Sequence, residues 1–469
     1  MPGYARRDIV REGEIGIYHT WSRCVQRAFL CGRDPVTGID FDYRRDWIKS
    51  LLQYQASVFA VDVGNYSILS NHQHLIARTR PDLAAQWSDE EVAWRWNLAW
   101  PSWIGGQWVR EPTDEEIREI LIKPERIPQL RANLASLSWF MARWKEPIAR
   151  LANGEMDRKG HFYEQRFGSR EIMDDAANLC CNIYVDLNQI KAGMARSLME
   201  SNCSAVQDRL QAWRKEEAQA SVETFHTNSS DGSFSLETGD VERLLADCFL
   251  APIGDQSPPL LAEVLSRRGL PDSVAAATAP ESAVQSPTAP TESTNTEIAE
   301  SLPSASVIEC PAETSAPAVS SDVAVSVTSG STTTVQARSS AGGQGRPPLI
   351  RPVPTRKIHE RLQSRRRKRA SDHVYLGIPR RQYLEIVRWT AEQSLTERTA
   401  ETQSRPPPDK VAQILRQWGI APDYWCEAVE KFAHWFRRAV GHEDRLVTPI
   451  ERRKQRWIQG IRPCRQVFT

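Results

Sequence analysis

The chain has 469 residues and a formal charge of +1, enough length for two or three domains that each bury a core. No apolar run approaches bilayer thickness, the opening stretch MPGYARRDIVREGEIG is charged without an apolar centre, and the nine cysteines are odd in number with no C-x-x-C, so a membrane protein, a secreted precursor and a disulfide scaffold are not expected. The small net charge hides an uneven one: residues 216–345 hold 18 acidic and 4 basic residues, leaving 56 basic against 41 acidic elsewhere, a balance suited to a polyanion such as nucleic acid.

Residues 15–31 alternate in strand formers and read as a first strand or hairpin, and residues 43–56 place Trp47, Leu51, Leu52 and Gln55 at helical spacing. SVFAVDVGNYSIL reads as a second strand, Ser70-Asn71 as a turn, and the chain returns through a strand bearing His72 and His74. Residues 82–151 look helical in pieces, with Ser88 in capping-box position to Glu91 and a long segment closed by Asn153-Gly154. GHFYEQRFGSREI (160–172) supplies another strand and residues 173–193 a helix ending at Gly193. The order predicts an α+β fold: a ferredoxin-like, split βαβ antiparallel sheet with helices over residues 13–200.

A helical extension is expected over 201–270. Residues 271–345, rich in Ser, Thr, Ala and Pro, lie within a span that lacks aromatics from Phe249 to Tyr375 and read as a disordered linker. The segment 346–370 is basic, with Arg365, Arg366, Arg367 and Lys368 at its centre; it reads either as a solvated linker or as a contact for nucleic-acid phosphate. Three helices of a small, mostly α-helical unit are expected over 371–469.

On a strand, residues two apart share a face, so His72 and His74 project together while Gln73 points away. Two neutral imidazoles side by side suit one divalent metal, and a strand also carries such a triplet without any ligand. Tyr184 and Asn188, four apart, share one face of the last helix of this domain. If that helix packs beside the histidine strand, a phenol, an amide and two imidazoles converge. Phosphodiester cleavage by a covalent tyrosine intermediate wants that set.

Other side chains carry two readings each. Tyr163 is core or a base-stacking residue, and His19 is a neighbour of the site or a sheet-surface histidine. Arg23 and Arg166 are phosphate contacts or ordinary exposed arginines, His161 is an extra ligand or a surface residue, and Cys180-Cys181 read as packing.

The segments YHTWSR (18–23), LSNHQHLI (69–76), GHFYEQRF (160–167) and YVDLNQIKAGM (184–194), in this order, resemble the HUH single-tyrosine transposases, and within them the REP-associated tyrosine transposases. The resemblance spans about residues 13–200. It implies a divalent metal, Mg or Mn, on His72 and His74 with Asn188 as an amide ligand, and Tyr184 as nucleophile. It further implies strand transfer on single-stranded or hairpin DNA through a 5′-phosphotyrosine, in a bacterial, cytoplasmic, nucleoid-associated protein able to form a homodimer. Gln73 and Gln189 depart from the family pattern, which has a hydrophobic residue and a proline there. The contrasting expectation is a domesticated hairpin-DNA-binding protein that no longer cuts. A helicase-linked nickase is not favoured, because no G-x-x-x-x-G-K-[ST] occurs.

Overall fold

The computed structural model describes residues 8–26, 28–226, 246–254, 368–396, 406–452 and 458–469. The expected linker and Arg365, Arg366 and Arg367 lie outside the described residues, whereas Lys368 lies within them and is exposed.

The chain opens with strand β1 (Gly16–Arg23), helix α1 (Arg44–Ala56) and the hairpin of β2 (Val61–Ile68) and β3 (His72–Thr79). Four helices and a small hairpin not foreseen from the sequence follow: α2 (Pro81–Ala85), α3 (Asp89–Leu98), β4 (Ser102–Ile104), β5 (Gln107–Val109), α4 (Asp114–Leu121) and α5 (Ile127–Leu134). The hairpin turns on Gly105 and Gly106, both at positive φ, and its strands are too short to alternate visibly. Ser88 caps α3 by accepting from the Glu91 amide, and Thr113 with Glu116 forms a full capping box on α4. Helix α6 (Leu137–Glu155) runs through Asn153-Gly154, the expected stop.

Strand β6 (Gly168–Ile172) is shorter than the strand expected over 160–172; residues 160–167 form a loop joined to the first strand through a Cys24–Tyr163 bridge. The helix expected over 173–193 is divided at Leu187 into α7 (Asp175–Asp186) and α8 (Asn188–Lys191), and Gly193 ends it at positive φ. Helix α9 (Ala205–His226) follows. After the undescribed segment come α10 (Arg380–Thr396), α11 (Asp409–Gln417), α12 (Trp425–Glu430) and α13 (Phe432–Trp435). Strand β7 (Ala439–Val440) and helices α14 (Glu443–Arg452) and α15 (Ile461–Val467) complete the chain. The third helix expected near the carboxyl end is thus two short helices and a strand.

The fold is α+β, with a mixed five-stranded sheet in the order β2-β3-β1-β6-β7. The first four strands are antiparallel, and β7 joins β6 in parallel through Glu171 with Ala439 and Ile172 with Val440. The described residues from 368 onward belong to the same compact unit as the described residues up to 254. The two flanks of the undescribed segment meet: the Tyr375 amide donates to the Pro252 carbonyl, and Ile253 bridges Leu376. A Cβ at Gly64 would collide with the Tyr375 ring, so glycine lets the returning chain lie against β2.

Alternation along β1 divides two cores. Tyr18, with Leu75 and Ala77, faces α1 and α6 through Leu51, Phe140 and Trp144; Ile17, with Ile76 and Ile172, faces α7 and the carboxyl-terminal helices through Ile183, Ile386 and Trp425. Arg78 and Arg80 are buried on one carboxylate, Asp62, and this cluster grips the returning chain: Arg80 and Asp62 both bond Ser371. Among the described residues no helix is long and apolar enough to cross a membrane.

Candidate functional site

The site lies on the α7 face of the sheet, and cross-strand register fixes its first members. Trp21 of β1 is opposite His74, Arg23 is opposite His72, and on the other edge of β1 His19 faces Arg170 of β6. A Cβ at Gly168 would collide with the Trp21 ring, so glycine at that position lets the indole lie across β6.

Helix α7 is held in rotation by its polar side. Asn178, Asn182 and Asp186, four apart, form a buried row: Asn65 donates to Asp186 at 2.7 Å, Tyr375 to Asn178 at 2.7 Å, and Tyr383 also donates to Asp186. Asp174 caps the helix by accepting from the Ala177 amide at 2.8 Å, and it also accepts from the His442 amide. Two residues are about 200° of helix, so pinning Asn182 and Asp186 toward β2 and α10 carries Tyr184 to the other flank, toward β1. There its ring meets His19 and His74 edge-on, each at 5.7 Å between centroids. Asn188, one turn on, lies close enough to the phenol to lower its pKa against the effect of burial. Gln189 is buried and donates to the carbonyls of Ile68 and Asn202, tying α8 to the end of β2. The buried Gln73 side chain lies on the opposite face, with neither amide atom hydrogen-bonded.

The two histidines sit 5.2 Å apart by ring centroids and at right angles. His72 Nδ1 is hydrogen-bonded to Asn71 Oδ1 at 2.7 Å, which makes Nδ1 the donor and leaves Nε2 its lone pair. His74 Nδ1 is 2.9 Å from His19 Nε2; when His74 donates, its Nε2 is also free to ligate. Asn188 keeps Nδ2 buried and unpartnered, so its amide is not fully committed. Two imidazole nitrogens and an amide oxygen form a donor set that a divalent ion accepts, and the residues present therefore fit the group that the resemblance implies. Among the described residues, no group of three or more His, Cys, Asp or Glu side chains forms a metal cage.

Electrostatics keep the histidines neutral. Burial, and then the Arg23 guanidinium, pushes His72 down to about 4. Burial, and then neighbouring charged groups, also lower His19 and His74 well below the ordinary histidine value. Burial also raises the Tyr184 phenol, with Arg170 and Asn188 pulling the other way.

Two residues of the site were not legible as such from the sequence. Phe432 of α13 stacks on the Tyr184 ring at 4.9 Å, and the buried Arg170 lies between Trp21 and Phe432. Alternation along β6 puts Arg170 on the histidine face once the register is known; no sequence signal marks Phe432. Arg23 is exposed beside His72. Arg166 and His161 are exposed and line a different cleft of about 860 Å³ against α6, with Trp139, Lys145 and Tyr163. Tyr163 lies under the Lys145 ammonium, and its hydroxyl is buried without a partner. The Cys180 and Cys181 thiols are fully buried.

No family model, curated protein or solved structure matches the chain.

Proposed function

We propose that this chain cuts and rejoins single-stranded DNA by metal-dependent transesterification, with Tyr184 as the nucleophile, on a ferredoxin-like core to which β7 has been added. The observation that carries the reading is the meeting of Tyr184 with His74, beside His72 and Asn188, with His72 Nδ1 donating to Asn71 and His74 Nδ1 in contact with His19 Nε2. His72, His74 and Asn188 would hold the Mg or Mn ion. A bound divalent ion supplies charge neutralisation at a phosphoryl oxygen as negative charge develops there.

The chain's own residues supply the rest. Arg23, exposed beside His72, attracts the DNA backbone to the open end of β1 and β3. Burial raises the Tyr184 phenol, and the nearby Arg170 charge and then Asn188 offset part of that shift toward the phenolate. The Tyr184 oxygen forms a bond to phosphorus while the bond from phosphorus to the 3′ oxygen breaks. That oxygen leaves with the electron pair and takes a proton to become a 3′-hydroxyl; the phenol proton passes to solvent. The resulting 5′-phosphotyrosine conserves the ester bond, so attack by a 3′-hydroxyl reseals the strand and returns the phenol.

One observation favours a second reading, a hairpin-DNA-binding protein that does not cut: Tyr184 is 7% exposed, under Phe432. Labelled single-stranded hairpin oligonucleotides incubated with the full-length protein in Mn or EDTA, then run on a denaturing gel, separate the two. A Mn-dependent adduct that Tyr184→Phe removes is expected. Specific binding without an adduct in any metal assigns the chain to the second reading.

A further inference from the structure

Arg170 is a buried cation with no counter-ion among the described residues. It is 2% exposed, and its Nε and Nη1 have no hydrogen-bond partner. Its Nη2 reaches the Ala433 carbonyl at 3.4 Å, and among the described residues no carboxylate pairs with it. Removing a guanidinium from water without an anion is unfavourable, and burial lowers its basicity to about 10. Its guanidinium carbon lies over two aromatic rings, 5.4 Å from the Trp21 centroid and 4.8 Å from that of Phe432. The Nε and Nη1 donors left unused are of the kind with which arginine takes two oxygens of a phosphate.

The position is as specific as the chemistry. Arg170 is the cross-strand partner of His19, whose Nε2 meets His74. Its charge acts on His19, on His74 and on the Tyr184 phenol. The exposed Arg23 acts on His72 and His74 as well, so Arg170 is a second cation at the tyrosine site.

We infer that Arg170 is a catalytic residue that binds the non-bridging oxygens of the phosphate attacked by Tyr184; the inference rests on the transesterase reading and adds a residue to it. The Ala433 carbonyl holds one of its donors in the way a phosphate oxygen would, and Phe432 covers the ring that must reach phosphorus. Residues 432–433 therefore leave this corner before DNA enters it.

The test uses full-length protein carrying Phe432→Ala, alone or with Arg170→Gln or Arg170→Lys. Inorganic phosphate is titrated by calorimetry into each. Arg170→Gln is expected to weaken phosphate binding roughly 10- to 100-fold and Arg170→Lys to recover part of the loss, with melting temperatures unchanged. Single-turnover adduct formation on a hairpin oligonucleotide should slow by about 10²- to 10³-fold in Arg170→Gln, while oligonucleotide retention changes by less than the loss in rate. Equal phosphate affinity in the Arg170→Gln and Arg170-bearing proteins overturns the inference. So does a glutamine variant that melts earlier while the folded fraction binds phosphate as before, since Arg170 is then a packing cation. If no variant forms an adduct, the transesterase reading falls, and the phosphate titration still decides whether Arg170 binds the anion.

Discussion

Phe432 lies stacked on Tyr184, with ring centroids 4.9 Å apart and planes 24° from parallel, so the phenol expected to attack DNA is covered by a helix from the far end of the chain. Lys191, beside the same ring, donates to the Val429 carbonyl and ties that helical segment down. Phe432 lies outside the segments that resemble a known family, whereas Lys191 lies within the last of them, and together they cover the Tyr184 ring.

Phe432→Ala removes a fully buried ring and should destabilise the fold by about 3–5 kcal/mol. It should also speed adduct formation per folded molecule, because Tyr184 loses its cover. Denaturant titration beside single-turnover assays measures both; a stable variant with no gain in rate would mean that Phe432 does not limit access.

His19→Gln should weaken Mn binding roughly 10- to 100-fold while leaving both expected ligands in place. The reason is the 2.9 Å contact from His19 Nε2 to His74 Nδ1, across which His74 can donate and keep its Nε2 for a metal. Electron paramagnetic resonance of free Mn, titrated with wild-type and variant protein, reads the change without DNA. Unaltered affinity would make His19 a packing residue.

Acid should destabilise the fold through these histidines. Burial, then Arg23, sets His72 near 4 in the folded chain against 6.5 ordinarily, and His19 and His74 move the same way. The unfolded chain therefore takes up protons first as pH falls, so this contribution is whole above about pH 6.5 and is lost progressively toward pH 4. Melting temperature followed across that window should fall less steeply in a His19→Gln, His72→Gln double variant than in wild type.

Asp62→Ala should destabilise by about 3–5 kcal/mol, since it strands the buried Arg78 without its carboxylate and leaves Arg80 only Asp82. The same change removes the acceptor of the Ser371 hydroxyl and so loosens the hold on the returning chain. Chemical denaturation measures the loss, and protease accessibility near residue 371 should rise with it.

Much of the amino-terminal architecture was legible because local signals there agree with tertiary ones. Alternation marked the histidine strand, Ser88 and Glu91 marked a helix start that is present as a cap, and Tyr184 and Asn188 share a helix face at the spacing read from the chain. The remainder depends on contacts between residues far apart in sequence. Strand β7 is two residues long, too short for any periodicity, and exists because β6 offers it an edge. The break at Leu187 accompanies the buried Gln189 amide bonded across to Ile68, a tertiary bond that helical spacing does not report. The sequence pointed to Arg166, and Arg170 carried no signal of its own. The expected strand begins only at Gly168, so Arg166 falls in the loop at the α6 cleft while β6 sets Arg170 opposite His19.

The most direct measurement is proteolytic mapping of the DNA adduct by mass spectrometry, after Mn-dependent reaction of the full-length protein with a single-stranded hairpin oligonucleotide. The account predicts a nucleotide joined through its 5′ phosphate to the peptide carrying Tyr184, and to that tyrosine within it. A phosphotyrosine on Tyr163 or on any other residue, with Tyr184 unmodified, would contradict it.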